Sequence, residues 1–223
     1  PQPRAVAGMK AARPEPARWV EPEPLPVFTP APIVSPSRAR EMAGTEPVLT
    51  TAAERVRDAE TARKSGIALH ALLQHLGRVD RALWPHVVPR ALETLLPDLP
   101  DEQARLAPKA LSILQRPEFA DLFGPESRAE IPFLVPIRRN GEPIRLSGRI
   151  DRLVVDDHSV LVVDYKSDAT APKSVSEVPE KYVTQLALYA LVASQLFPGR
   201  SVQAAILWTE LESLMNLPSE QLE

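Results

Sequence analysis

The 223-residue chain contains no cysteine. Disulfides, thiolate zinc sites and cysteine-ligated iron–sulfur clusters are therefore excluded. It also lacks any apolar run near the ~20 residues that a membrane-spanning helix needs. The N-terminal stretch carries no signal-peptide core, so a soluble cytoplasmic chain is expected. No excess of positive charge is present either: 29 acidic side chains face 26 basic ones, a formal net charge of −3. That balance argues against a uniformly basic nucleic-acid binder. It leaves room for a local basic groove beside a carboxylate-rich site, since the two can sum to near zero.

Proline, by contrast, is abundant, with 25 residues unevenly spread. From Pro1 to about Ser35 the sequence is a tract of Pro, Ala, Glu and Arg, as in Glu21-Pro22-Glu23-Pro24-Leu25-Pro26. Proline removes amide donors and biases the preceding residue toward extended backbone. Residues 1–34 are therefore expected to be a linker of polyproline character, and residues 35–223 the folded domain. The first residue is Pro1 rather than methionine, which sets the expectation of a larger protein upstream of the linker. Apolar content of 44% and charged content of 25% suit a packed core.

Ser35-Pro36-Ser37-Arg38 reads as a helix start, with a serine cap and proline in the first turn. A longer helix is expected over Thr51–Gly77, with Val56, Ala59, Ile67, Leu69, Leu72, Leu73 and Leu76 near a helical period. Two more follow near Val79–Leu96 and Asp101–Arg116. After Phe123 the pattern turns to strands, at Ala129–Arg138 and Pro143–Val155, with Asn140-Gly141 between them as a two-residue hairpin turn. A second turn at Asp156–Ser159 leads into Val160–Lys166, apolar enough to be a strand buried on both faces. A helix over Pro179–Phe197 and a last strand over Val202–Trp208 complete the layout. It predicts an α/β fold: helices, an antiparallel meander, a crossover helix and a further strand.

Asp164 and Lys166 are two apart on one strand and so share a face. Asp151 lies at the end of the preceding strand, and the short turn lets the two strands pair, bringing both carboxylates to one edge. Two close carboxylates repel unless a cation lies between them, and hard oxygen ligands with open positions favour Mg²⁺ or Mn²⁺. D-x-K alone is a weak pattern, equally suited to a solvated strand end. Its weight comes from closing an otherwise apolar strand, with G-x-x-D one strand earlier.

Gly148-Arg149-Ile150-Asp151, Val163-Asp164-Tyr165-Lys166 and Gln185 with Tyr189 resemble, in order, the G-[RV]-[IV]-D, D-x-K and Q-x-x-x-Y motifs of PD-(D/E)XK nucleases of the RecB type. Gly66-Ile67-Ala68-Leu69-His70 is similar to the G-x-x-[LIV]-H element on an upstream helix of that family. The resemblance runs from about Ser35 to Trp208. It implies a restriction-endonuclease-like core, a mixed central sheet flanked by helices, with an N-terminal helical region. It also implies His70, Asp151 and Asp164 as metal ligands with the Tyr165 carbonyl, Lys166 as the catalytic lysine, and Gln185 and Tyr189 beside it. Within the family, the Pro-rich tether and Ile206-Leu207-Trp208-Thr209 resemble the nuclease domains of AddA-type helicase–nucleases. The absence of cysteine separates the chain from relatives with an iron–sulfur cluster. No G-x-x-x-x-G-K-[ST] loop is present, so a helicase motor would lie outside this sequence.

The implied activity is Mg²⁺-dependent (or Mn²⁺-dependent) hydrolysis of single-stranded DNA, acting as an exonuclease in double-strand-break repair. The implied setting is the bacterial cytoplasm at the nucleoid, away from any membrane. An upstream helicase domain in the same chain and an AddB-type partner are implied with it. A non-catalytic nuclease-like binding module and a stand-alone endonuclease remain as alternatives. Glu130, at the start of a strand, is either a further acidic group of the site or a solvated strand end. Arg138, Arg139, Arg145, Arg149 and Arg152 suit phosphate contacts or a solvated hairpin edge. His75, five residues beyond His70, is expected at the surface.

Overall fold

The structure is a computed structural model and describes residues 31–36, 53–168 and 172–222. The Pro-rich tract up to Pro30, and most of the helix start expected at Ser35–Arg38, lie outside them. Strand β1 (Ile33–Val34) comes first, so the segment just before Ser35 is already in the sheet. Three helices follow: α1 (Ala53–Leu76), α2 (Trp84–Leu95) and α3 (Pro100–Gln115). Each buries a stripe at helical spacing, such as Trp84, Val88 and Leu92 on α2. The Trp84 indole donates to the carbonyls of Leu76 and Val79, both at 3.0 Å, and so satisfies acceptors left open at the end of α1.

The chain then forms β2 (Ser127–Arg139), β3 (Glu142–Val155) and β4 (Ser159–Lys166), crosses through α4 (Glu180–Leu196), and returns as β5 (Ser201–Trp208) and β6 (Ser213–Leu217). Asn140 (φ 52°) and Gly141 (φ 84°) make the turn between β2 and β3. Both angles are left-handed, as a primed two-residue hairpin requires. The sheet order is β1-β3-β4-β5-β6, with β2 paired to β3. Pairs β1–β3 and β4–β5 are parallel, the rest antiparallel. The expected mixed sheet and crossover helix are present.

Helices α1 to α3 pack on the sheet face carrying Val163, Tyr165, Ala205 and Leu207. Helix α4 covers the other face, over Val160, Val162, Ile206 and Trp208. Strand β4 is thus buried from both sides, which explains its unbroken apolar run; each fully buried Val or Leu contributes about 1.5–3 kcal/mol. Two readings need correction. Val202–Trp208 is not the last strand, because β6 pairs beyond it. Ile67 is 55% exposed, and the buried positions of α1 that follow it are Ala68, Leu69, Leu72, Leu73 and Leu76. His75 is exposed, as expected.

Candidate active site

Strand β3 changes neighbours part-way along. Its early residues Arg145 and Leu146 pair with β1, whereas its ladder with β4 runs only from Arg152↔Val163 to Val155↔Val160. Asp151 stands just where the β4 ladder stops, inside β3 rather than at its end. The amide of Tyr165 donates to Asp151 Oδ2 at 2.8 Å. A cleft of about 660 Å³ opens at this point, and His70, Asp151, Asp164, Lys166, Gln185 and Tyr189 all line it, as does Tyr165. The motif residues from α1, β3, β4 and α4 are therefore brought together.

Two of the motif glycines allow close approach. A Cβ at Gly148 would meet Phe133 Cζ at 2.7 Å, and one at Gly66 would meet Ser167 Oγ at 2.8 Å. These glycines let β2 close on β3 and let α1 lie against the residue after Lys166.

Asp164 is 2% exposed. Its Oδ1 accepts from Gln185 Nε2 at 3.0 Å. Its Oδ2 lies 2.6 Å from Lys166 Nζ, an ion-pair contact in which that buried oxygen accepts no well-directed hydrogen bond. Lys166 Nζ also donates to Gln185 Oε1 at 3.0 Å, and Gln185 Nε2 donates to the Tyr189 hydroxyl at 3.0 Å. The Gln185 amide is thereby fixed in one orientation, with oxygen toward the ammonium and nitrogen toward the carboxylate. One helical turn separates Gln185 from Tyr189, which puts both on the face of α4 that meets β4.

His70 Nδ1 stands 3.9 Å from Asp151 Oδ2. Burial lowers the imidazole's pKa, partly opposed by the Asp164 charge, which favours the neutral ring that can act as a ligand. Burial pushes both carboxyl groups up to about 6, against the hydrogen bond from Tyr165 for Asp151 and the Lys166 charge for Asp164. The Asp151 charge raises Asp164 further. A divalent cation would relieve this crowding of buried negative charge, and the donor types fit one: two carboxylates, an imidazole and a backbone carbonyl. Among the described residues no three His, Asp or Glu side chains already converge on one point. Lys166 Nζ sits against Asp164 Oδ2.

Glu130 lies on β2 across from Asp151 and adopts φ 54°, a left-handed backbone of the kind found near functional sites. Its carboxylate pairs with Arg149 at 3.1 Å. The basic cluster does not act as one group. Arg138 folds back onto the Gly141 carbonyl, Arg145 donates to Ala31, and Arg149 is largely solvated. Arg152 is buried at 4% exposure and is neither a phosphate contact nor a solvated edge.

Two residues beside the site were not singled out from sequence. The Tyr182 ring centroid lies 4.5 Å from Lys166 Nζ, and its hydroxyl donates to Asp168 at 2.8 Å. Thr209, fully buried, donates to the Lys166 carbonyl through its amide at 2.9 Å and its hydroxyl at 3.2 Å. The spacing of Tyr182, Gln185 and Tyr189 along one helix face carried a signal for the first; Thr209 entered only as the last residue of the Ile206–Thr209 segment, with no role attached to it.

This mixed sheet, with an acidic pair and a lysine where two strands part, is the framework of a phosphodiester-cleaving nuclease. The profile described as "PD-(D/E)XK nuclease superfamily" matches residues 47–220, and the chain belongs to that superfamily. Among curated proteins it is similar to the A-type component of the ATP-dependent helicase/nuclease of several bacteria. It is 28% identical to that of Acetivibrio thermocellus over 159 residues, 64% of this chain and 12% of the relative. To that of Clostridioides difficile it is 34% identical over 64 residues, 29% of this chain and 5% of the relative. To that of Oenococcus oeni it is 32% identical over 65 residues, 29% of this chain and 6% of the relative. The chain thus spans a small fraction of the length of these relatives.

Proposed function

We propose that the chain is the Mg²⁺-dependent DNA nuclease domain of an AddA-type helicase–nuclease, cutting single-stranded DNA during the processing of double-strand breaks. The observation that carries this reading is the convergence of Asp151, Asp164 and Lys166 in one cleft, with Gln185 and Tyr189 locking the lysine. The similarity to helicase/nuclease components supports the setting, with a motor in the same chain and an AddB-type partner. Mn²⁺ is expected to replace Mg²⁺. No helix among the described residues is long and apolar enough to cross a membrane, and a place at the bacterial nucleoid follows from the substrate.

Asp151 and Asp164 would hold the cation, with His70 and the Tyr165 carbonyl as further ligands. When bound, it supplies Lewis-acid polarisation of the scissile phosphate and a lowered pKa for the attacking water. The Lys166 ammonium is restrained by Asp164 and Gln185 at 2.6 and 3.0 Å. It can therefore present a fixed positive charge to the phosphate as negative charge builds in the transition state. Tyr189 holds the Gln185 amide and keeps that charge aimed. Preorganisation of this kind costs no rearrangement at the moment of reaction.

The test is cleavage of an end-labelled single strand by the wild type, Asp164→Ala and Lys166→Ala, with Mg²⁺ or with EDTA. Cutting by the wild type with Mg²⁺ alone, lost in both variants, is the expected result. Cutting that persists in EDTA or in either variant overturns the assignment.

A further inference from the structure

Arg152 is buried at 4% exposure and makes no ion pair with a carboxylate among the described residues. A buried guanidinium is costly unless its donors are satisfied, and here neutral groups satisfy them. Its Nε donates to the Tyr165 hydroxyl at 2.8 Å, its Nη2 to the Leu73 carbonyl at 2.5 Å, and its Nη1 reaches Ser127 Oγ at 3.4 Å. The guanidinium also lies over the Phe123 ring, 4.9 Å from its centroid. One planar fork therefore ties together β3, the end of β4, helix α1 and the start of β2.

Two of these partners lead directly to the cleft. Leu73 follows His70 by three residues on α1, about one helical turn, so its carbonyl anchors the turn that carries His70. The Tyr165 ring meets the His70 ring edge-on, at 5.2 Å between centroids and 82° between planes. The amide of the same Tyr165 donates to Asp151. Arg152 thus holds the phenol end of the residue whose backbone fixes Asp151 and whose ring braces His70.

We infer that Arg152 is a positioning residue: by gripping the Tyr165 hydroxyl and the Leu73 carbonyl at once, it sets how His70 faces Asp151. The inference rests on the metal-dependent nuclease reading for its consequence, but the placement of His70 can be read without metal or substrate. A fork is needed for this task. Lysine at 152 would keep the charge and lose the simultaneous grip, because an ammonium on a flexible stem has no fixed donor geometry.

The test compares wild type with Arg152→Lys, Arg152→Met and Tyr165→Phe in the full chain. The readouts are the proton NMR shifts of the His70 ring, Mn²⁺ affinity by calorimetry, and kcat and KM for single-strand cutting. His70 ring signals, assigned with H70Q, should shift in all three variants as the Tyr165 ring loosens. Mn²⁺ affinity should fall by about 10- to 100-fold in the Arg152 variants, the range for groups that orient metal ligands. The loss should appear in kcat more than in KM. Arg152→Lys should rescue neither, and Tyr165→Phe, which keeps the ring and loses only the hydroxyl, should reproduce the effect in weaker form.

Variants that melt lower but keep the wild-type His70 shifts, Mn²⁺ affinity and kcat overturn the inference and leave Arg152 a purely structural residue. Full rescue by lysine overturns the fork. If Arg152→Met does not fold, Tyr165→Phe decides by the same criteria. If the wild type binds no Mn²⁺, the nuclease reading fails, and the His70 shifts alone then decide whether Arg152 positions the ring.

Discussion

The turn leading into β4 and the far end of that strand are both marked by aspartate, and the two aspartates live in opposite surroundings. Before the first residue of β4, the exposed Asp156 accepts hydrogen bonds from Ser159 Oγ and from the amides of His158 and Ser159, at 2.6 to 2.7 Å. Its pKa falls to about 2, the Ser159 hydroxyl contributing most. At the other end Asp164 is 2% exposed and pushed up to about 6 by burial, despite its lysine neighbour. The first carboxylate is satisfied by the fold and stabilises a turn. The second costs the fold stability. On the function proposed above, a buried carboxylate beside the half-buried Asp151 would put its unspent affinity to use in holding a cation. Local donors, not residue type, separate the aspartate that closes a turn from the one proposed as a metal ligand.

The contrast breaks most sharply with Asp164→Asn. It should reduce Mg²⁺-dependent cutting by more than roughly 100-fold, since disturbing groups that only orient ligands already costs 10- to 100-fold. The same variant should melt above the wild type in EDTA, because the amide removes a buried charge. Initial rates and melting curves on one preparation read both effects; a variant that is inactive and also melts lower removes the claim that Asp164 is held at a cost.

The pH dependence comes next, and its sign differs at the two ends. Asp151 and Asp164 have folded pKa values raised to about 6, against about 3.9 in an unfolded chain. The folded state therefore holds more protons between those values, so stability is present below about pH 4 and falls as pH rises through about 6. The loss is on the order of 1–3 kcal/mol per raised carboxyl. For Asp156 the folded pKa is lowered to about 2, so its contribution is present above about pH 4 and lost as the pH falls toward 2. Urea midpoints from pH 3 to 8 should thus differ between wild type and Asp164→Asn above about pH 5. Asp156→Ala should differ from wild type only in losing a small stabilisation above about pH 4, with cutting unchanged.

The smallest expected effect is at Gly66. Alanine favours a helix interior over glycine by about 1 kcal/mol, but its Cβ would meet Ser167 Oγ at 2.8 Å. Adding Gly66→Ala to Ser167→Ala should therefore stabilise more than adding it to the wild type. Equal increments in the two backgrounds, by chemical denaturation, would show that the close approach does not constrain α1.

Much of this was legible in the sequence because local patterns and tertiary structure agree. The two-sided burial of β4 shows as an unbroken apolar run, and the Asn140-Gly141 turn has the chemistry its dihedral angles require. Spacing put Asp164 with Lys166, and Gln185 with Tyr189, on shared faces, whereas joining these pairs to each other and to His70 rested on the resemblance to RecB-type nucleases. What escaped was set by long-range contacts. Strand β6 is a short edge strand with only Leu217 buried, so its composition carries no alternation to read. Strand β1 pairs through two residues in a proline-rich context. Arg152 looks in sequence like the solvated Arg149 three residues earlier, and only the packing of α1 and Phe123 around it makes it internal. Ile67 fits an apolar period on α1 and points outward because the sheet meets the face beside it.

The most direct measurement is the melting temperature of the full chain at pH 8, with and without saturating Mn²⁺, in the wild type and Asp164→Asn. A cation held at 100 times its Kd adds about 2.7 kcal/mol, or roughly 5–10 °C for a domain of this size. The wild type should rise by that order with Mn²⁺, and Asp164→Asn should not move. A wild type unaffected by Mn²⁺, or a variant stabilised equally, would contradict the assignment of Asp151 and Asp164 to a cation.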